Sequence, residues 1–470
     1  MYKKFSIRIA LFSILVLGFV LRFYNIGLEN LWYDEMISFW VANPKHTILE
    51  SFGIHNFIER SPFTYHLFLK FFFHFFGYSP EIGRYISAIF GCLFLLTIPF
   101  FIKTFKHDKA NLFALFLFSF NIFLITFSQE MRVYSMLLFF VSLSYLFFFQ
   151  ILLNKKSGVV FFIFFSLISI FLHPFALLVY FSNIGYLLLR FLKFKKFDLR
   201  LILILTFIGI ISLVFYYFSF FYFLEPSQND HLWIPELKIK FFTNFFFSNF
   251  FGSRILGIIF LITLIVLIIK NFKIFYKLEI ISILLLSLII SYLLPIIFNY
   301  IFEPILVSRY MIFVLIPIIF LISILTYNTK NKKMSLFITI LLCSITILNL
   351  FTEQSFKQFY KPRIIYKAQY LETIKFISNS NYKNYTLKLV EMKSLVQTKN
   401  SINNYLSYLG ESNNVRINFL DLNNINNNTV WLICPMVINK DCSLPKKMKD
   451  FKIIDEKNFV SINLKLLKKT

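Results

Sequence analysis

Beyond an apolar first segment, nine stretches of this chain contain no Asp, Glu, Lys or Arg: 85–102, 110–129, 133–154, 157–189, 201–224, 255–269, 280–302, 310–329 and 334–352. A charge-free run of about 17–25 residues is what a helix needs to cross a bilayer. The run 157–189 is too long for one span and carries His173-Pro174 at its centre, with Lys155-Lys156 before it and Arg190 to Arg200 after it. It is expected to be two helices joined by a turn, making 11 spans. With 58% hydrophobic residues and 68 Phe among 470, the chain holds more apolar surface than a soluble core can use. The fold class expected is an all-α polytopic membrane protein. The start, Met1-Tyr2-Lys3-Lys4 and an apolar run, resembles a signal peptide, but Arg22-Phe23-Tyr24 follows in place of small residues, so it is read as a retained first span.

The charges set the expected orientation. With the N-terminus in the cytoplasm, the inner segments 1–8, 103–109, 154–156, 190–200, 270–279 and 330–333 hold 19 Lys+Arg and 3 acids. The outer segments before residue 353 hold 10 Lys+Arg and 11 acids. This is the positive-inside bias of a protein in the cytoplasmic membrane. Segment 61–78 is apolar, but counting it as a span would invert every later loop, so it is read as an interfacial helix. The net charge of +25 follows this topology and does not point to nucleic acid. Cys92 and Cys343 fall in apolar runs and read as packing residues.

Two domains are expected: 1–352 in the membrane and an extracytoplasmic tail, 353–470. The helical pattern near 364–378 and the alternation at 385–390 and 429–433 make that tail a small α/β domain. It has 19 Lys+Arg against 9 acids. That suits anionic headgroups or glycans as an acceptor-binding surface, and it equally suits a solvated cap. Cys434 and Cys442 could pair there if the compartment is oxidising.

Most of the polar residues able to do chemistry fall on the outer side. Trp32-Tyr33-Asp34-Glu35 places adjacent carboxylates just past the first span, where acidic groups are solvated or functional. Glu130, Arg132, His173, Glu303 and Arg309 sit in the short outer turns, and His55, Glu59 and Arg60 in the first outer loop. Glu59 and His55 read as structural and Arg22 as an anchor snorkelling to headgroups. The spans themselves are almost free of ionisable groups. A transporter or flippase for a lipid-linked glycan, the alternative, would place such groups near the midplane and show internal symmetry. A glycan polymerase or ligase would carry its large loop between late spans.

Several of these segments resemble one family. Asn25-Ile26-Gly27 and Leu31-Trp32-Tyr33-Asp34-Glu35 are similar to the first outer loop of the C-type glycosyltransferases, in particular the protein O-mannosyltransferases and lipid A aminoarabinose transferases. Arg60-Ser61-Pro62-Phe63-Thr64-Tyr65-His66-Leu67 resembles that family's Pro-Pro-Leu-Tyr-Tyr segment, with Ser61 where a first proline is common. Phe76-Gly77, Arg84-Tyr85-Ile86-Ser87-Ala88, Ser128 to Ser135 and Ser308-Arg309-Tyr310 continue the likeness in order.

The resemblance implies an outer-face enzyme that moves a sugar from a polyprenyl-phosphate donor to an acceptor on a lipid, protein or glycan, with inversion. No Gly-rich phosphate loop or Asp-X-Asp pair for a nucleotide sugar occurs in the chain. Asp34 is the candidate base, Glu35 its tuning partner and Glu130 the second catalytic carboxylate. The lipid phosphate needs cations, for which Arg132 and Arg309 are the first candidates and Arg60 and His173 the next. Tyr33, Tyr65, Tyr134 and Tyr310 are the candidate substrate-binding residues. A divalent metal is left open. Outer carboxylates and histidines could bind one and some relatives use one, but no His-X-X-His spacing occurs.

Overall fold

The computed structural model describes residues 2–59, 61–105, 107–153, 155, 158–195, 198–223, 234, 236–272, 279–352, 367–380, 387–389, 396–415, 429–435 and 450–470. The chain forms two compact units: Met1–Tyr24, Glu59–Tyr65 and Arg84–Arg363 in the first; Asn25–Ile58, His66–Gly83 and Ile364–Thr470 in the second.

The first unit is helical. It holds α1 (Tyr2–Phe23), most of α5 (Pro80–Phe105), α6 (Asp108–Phe120), α7 (Ile122–Ser128), α8 (Tyr134–Leu152), α9 (Gly158–Leu172) and α10 (Leu177–Phe194). It continues with α11 (Leu199–Phe223), two one-turn helices, α12 (Ile239–Phe242) and α13 (Phe247–Phe250), then α14 (Arg254–Lys270), α15 (Glu279–Ile301), α16 (Leu315–Asn328) and α17 (Lys332–Thr352). Helices are the natural outcome for such runs, because an apolar medium offers backbone groups no partner outside their own segment. Helix α16 is buried along nearly its whole length, and Phe320 packs on Phe101 and Phe118 at centroid distances of 4.8 and 5.5 Å.

Each of the eleven expected segments is helical. Seven helices among the described residues are long and apolar enough to span, or eight if α6 and α7 form one broken span. Helix α9, at 15 residues, is short for a crossing, and α14, at 17, is at the lower limit. The joint at His173-Pro174 is where the sequence places it: α9 ends at Leu172 and a 3-10 turn, Pro174–Ala176, leads into α10. Proline is suited to that first position because it has no N–H to satisfy.

The run 110–129, read as one span, is bent by 56° between α6 and α7. Asn121 leaves the helical conformation (φ −69°, ψ 118°) and caps α7, its Oδ1 accepting from the Leu124 N–H at 3.0 Å. Its Nδ2 donates to the Phe250 carbonyl at 2.8 Å. Arg22 does not snorkel. It is fully buried, donating from Nη1 to the Gly18 and Ser119 carbonyls and from Nη2 to that of Phe118.

The second unit joins the first loop to the C-terminal residues. From the loop come α2 (Tyr33–Val41), α3 (Ile48–Ile58) and α4 (Thr64–Phe76), whose first two residues belong to the other unit. From the C-terminal region come α18 (Tyr370–Ser378), α19 (Val396–Ser412) and strands β1 (Leu387–Leu389), β2 (Thr429–Pro435), β3 (Phe451–Phe459) and β4 (Ile462–Lys469). The sheet order is β1-β2-β4-β3, with β1 and β2 parallel and the other pairs antiparallel. A parallel pair needs a crossover, and α19 lies in it. Strand β2 is buried at every position, which suits its unbroken run Val430-Trp431-Leu432-Ile433-Cys434. Cys434 is disulfide-bonded, whereas Cys92 and Cys343 are free thiols. Cys442 lies outside the described residues.

The loop helices are fastened to the C-terminal helices inside this unit. Asn30 Nδ2 donates to Glu372 at 2.8 Å, and Asn30 Oδ1 accepts from the Leu371 N–H at 2.8 Å and from the Tyr405 hydroxyl at 3.2 Å. Phe39 stacks on Tyr78 (3.9 Å, 7°) and meets Tyr408 edge-on at 5.2 Å. Asn404 donates to the Tyr78 hydroxyl, which donates to the Phe39 carbonyl.

Candidate functional site

In the first unit, residues from as far apart in the chain as Glu59 and Tyr310 meet in one cluster. Arg132 lies in the turn between α7 and α8. That turn is held by Gln129, whose Nε2 donates to the Leu21 and Tyr24 carbonyls at 3.0 and 2.9 Å, and by Ser135, whose hydroxyl donates to the Phe127 carbonyl at 3.0 Å. Within it the Arg132 N–H donates to the Glu130 carbonyl at 2.7 Å, and the Ser87 hydroxyl donates to the Arg132 carbonyl. Arg132 Nη1 bonds Glu59 Oε1 at 2.7 Å, and the two side chains are only 11% and 15% exposed. Glu59 Oε2 also accepts from the Ser61 hydroxyl at 2.9 Å. Glu59, read from the sequence as structural, thus pairs with Arg132, a first candidate for the phosphate.

Arg309 and Tyr310 lie in the 3-10 turn Ser308–Val314 that precedes α16, with the Arg309 guanidinium 5.8 Å from the Tyr310 ring. The Tyr310 ring is 4.9 Å from that of His173, 5.5 Å from Phe175 and 6.3 Å from Tyr134. Tyr134, the first residue of α8, is buried, and its ring lies 6.4 Å from His173. Two arginines thus flank a group of aromatic rings, a combination suited to a phosphate attached to an apolar chain.

His173 has a more specific character than the sequence shows. It sits at the joint between α9 and the following turn, outside both helices, and is buried. Burial first, with Arg132 and Arg309 acting the same way and Glu59 opposing, pushes its imidazole down to about 3. It is a neutral ring at ordinary pH. Its Nδ1 accepts from the Phe175 N–H at 3.2 Å, so the proton belongs on Nε2. His173 can offer a phosphate a neutral N–H but not a charge.

In the second unit, Asp34 and Glu35 occupy the first turn of α2, where the helix dipole favours negative charge. Their surroundings differ. Glu35 is fully buried, accepts from the Trp32 N–H at 3.3 Å and pairs with Lys367 Nζ at 3.0 Å. Lys367 also lies 4.0 Å from Glu29. The repulsion expected between the adjacent carboxylates is therefore offset by Lys367, which the sequence does not single out among the many lysines of the tail. Asp34 is half-buried, and its carbonyl accepts from the Ser38 hydroxyl at 3.2 Å.

Ser38 Oγ is also 3.2 Å from His66 Nε2. Since that hydroxyl donates to Asp34, His66 must donate to it from Nε2, which leaves Nδ1 as an acceptor. The His66 ring is 5.0 Å from that of His55, and both are buried. Two close imidazoles are chemically suited to a divalent metal.

The remaining candidates are placed as follows. Tyr33 opens α2 and is half-buried. Tyr65 lies in the first turn of α4 and is buried. Glu130 is half-buried in the turn that carries Arg132. Arg60 lies outside the described residues.

No protein-family model matches this chain, and no curated protein matches it. Solved structures do. ArnT from Cupriavidus metallidurans in the apo state aligns over 99% of this chain and 98% of its own, with a TM-score of 0.58 at 10% identity. The same protein bound to undecaprenyl phosphate aligns over 97% of each chain, with a TM-score of 0.54 at 10% identity. The chain has the fold of ArnT. At this identity the shared property is the fold, and it extends from end to end of both chains.

Proposed function

We propose that this protein is a membrane glycosyltransferase that takes a sugar from a polyprenyl-phosphate donor. The observation that carries this reading is the meeting of Arg132, Arg309, His173, Tyr134 and Tyr310 in one cluster. Its fold is that of ArnT, a lipid A aminoarabinose transferase and a member of the C-type glycosyltransferases that the loop motifs resemble. ArnT has been seen with undecaprenyl phosphate. In this reading Arg132 and Arg309 hold the phosphate, His173 donates a neutral N–H, and the tyrosine rings line the approach.

The reaction forms a bond from an acceptor oxygen to the anomeric carbon and breaks the bond from that carbon to the phosphate oxygen. The electron pair leaves with the polyprenyl phosphate, whose growing charge the arginines stabilise. The acceptor proton passes to a carboxylate, which we assign to Asp34, and the displacement inverts the anomeric centre. Glu35 fixes the helix that carries Asp34. Glu130 remains the alternative base, and Tyr33 and Tyr65 are assigned to substrate contacts.

We place this chemistry on the outer face of the cytoplasmic membrane, with the C-terminal residues outside. The charge bias of the loops and the disulfide at Cys434 support that placement. The test is transfer of labelled sugar from a polyprenyl-phosphate donor in membranes, wild type against Asp34→Asn at matched expression. Loss of transfer in the variant supports the assignment. Full activity in the variant removes Asp34 and moves the base to Glu130.

A further inference from the structure

Arg22 poses a problem that the proposed chemistry does not address. A guanidinium with no exposed surface lies in the last turn of α1, and among the described residues no carboxylate pairs with it. Its partners are backbone carbonyls. Nη1 donates to Gly18 at 2.9 Å and Ser119 at 3.2 Å, and Nη2 donates to Phe118 at 3.2 Å. Phe118 and Ser119 are in the last turn of α6, just before the break at Asn121. The last carbonyls of a helix have no partner within it, and in an apolar surround such groups are costly. A cation at a helix C-terminus also complements the dipole. Arg22 therefore does for the end of α6 what Asn121 does for the start of α7.

The broken span is built closely around this contact. A Cβ on Gly91 of α5 would collide with the Ser128 hydroxyl at the end of α7 and meet Arg22 Cδ at 3.1 Å. Gln129, the next residue, ties the chain back to the Leu21 and Tyr24 carbonyls that flank Arg22. Three residues later comes Arg132. One end of α1 thus fixes both the break that redirects α7 and the turn that α7 delivers.

We infer that Arg22 is a positioning residue: it clamps the α6–α7 break so that Arg132 stands where the phosphate cluster needs it. This rests on the phosphate reading of Arg132 given above. The clamp acts through geometry, since the buried guanidinium spends its hydrogen bonds on carbonyls.

The experiment uses the full chain, purified in detergent, titrated with undecaprenyl phosphate. The dissociation constant is read on folded protein, verified by its thermal transition. Arg132→Ala should weaken binding about tenfold or more. Arg22→Met should weaken it about tenfold, the scale on which a small misplacement of a binding group is felt. In the Arg132→Ala background, Arg22→Met should add nothing, because the two act as one unit. A residue that served only stability would lower the folded amount and leave the dissociation constant of the remainder alone. If Arg22→Met does not fold, Arg22→Lys tests the same point, since an ammonium has no second nitrogen to hold the Phe118 carbonyl as Nη2 does; binding at least threefold weaker is expected. An unchanged constant in folded Arg22 variants, with Arg132→Ala weakened, overturns the clamp alone. So does a loss that persists in full without Arg132. If Arg132→Ala binds as tightly as wild type, the phosphate reading falls and the clamp falls with it.

Discussion

Two carboxylate–cation pairs, one in each unit, look alike in distance and differ in what they do. Glu59 meets Arg132 at 2.7 Å and Glu35 meets Lys367 at 3.0 Å. Glu35 is wholly buried and spends a second bond on the Trp32 N–H, so its pair belongs to the cap of α2. Arg132 and Glu59 retain some exposure, beside two further groups able to bind an anion, Arg309 and His173. A phosphate arriving there can take the place of the carboxylate on a guanidinium, which binds either in the same fork geometry. The Glu35–Lys367 pair fixes a helix, and the Glu59–Arg132 pair is suited to exchange. The same comparison separates Asp34 from Glu35. Consecutive residues on a helix do not share a face, so one can be locked to Lys367 while its neighbour is only half-buried.

The largest effect should come from splitting those neighbours. Asp34→Asn should lower kcat by about two to four orders of magnitude, the usual contribution of a general base, with the thermal transition unchanged. Lys367→Met should do the reverse. It leaves Glu35 buried without its cation, at a cost of about 3 kcal/mol or more, and should show as a lower melting temperature. Equal kcat losses in the two variants at equal stability would erase the distinction between them.

Next in size is the exchangeable pair. Glu59→Gln removes the carboxylate that competes for Arg132 and should tighten undecaprenyl phosphate binding by about three- to tenfold, measured by titration. Weaker binding in that variant would mean that Glu59 holds Arg132 in place, like Glu35 and Lys367.

The sequence is most legible where one physical constraint dominates. Charge-free runs become helices because an apolar medium leaves the backbone no alternative, and Pro174 ends one helix and opens the next because it lacks an N–H. The alternation at 429–433 correctly marks a strand, although β2 is buried on both faces. The order of the outer motifs pointed to Arg132 and Arg309, and the outer turn at His173-Pro174 to His173, but nothing in their spacing shows that they converge, since that depends on how the helices pack. The break at Asn121 has no Gly or Pro to announce it, and Arg22, which bonds the last carbonyls of α6, is 99 residues away. Lys367 could not be singled out because the tail holds 19 Lys+Arg with no pattern to rank them. Glu59 was within reach, lying directly before the Arg60-Ser61-Pro62 segment that carries the resemblance.

The smallest expected effect concerns pH, and it sharpens the picture of the phosphate cluster. In the folded protein burial holds His173 near 3, against 6.5 for a free imidazole, with Arg132 and Arg309 pushing the same way and Glu59 opposing. Between those values the unfolded chain binds a proton that the folded chain refuses, so this group's contribution to stability declines as pH falls from about 6.5 toward 3. His173→Gln removes the titrating group while keeping an amide N–H donor. Its melting temperature should therefore fall less steeply on acidification than that of the wild type, with the curves running parallel above pH 7. Undecaprenyl phosphate binding should show no inflection from His173 between pH 6 and 8, because a ring that is neutral throughout contributes the same N–H at each pH. An inflection present in the wild type and absent in His173→Gln would make His173 a third cation. The cluster would then bind phosphate by charge alone, and Glu59 would be facing three positive groups in place of two.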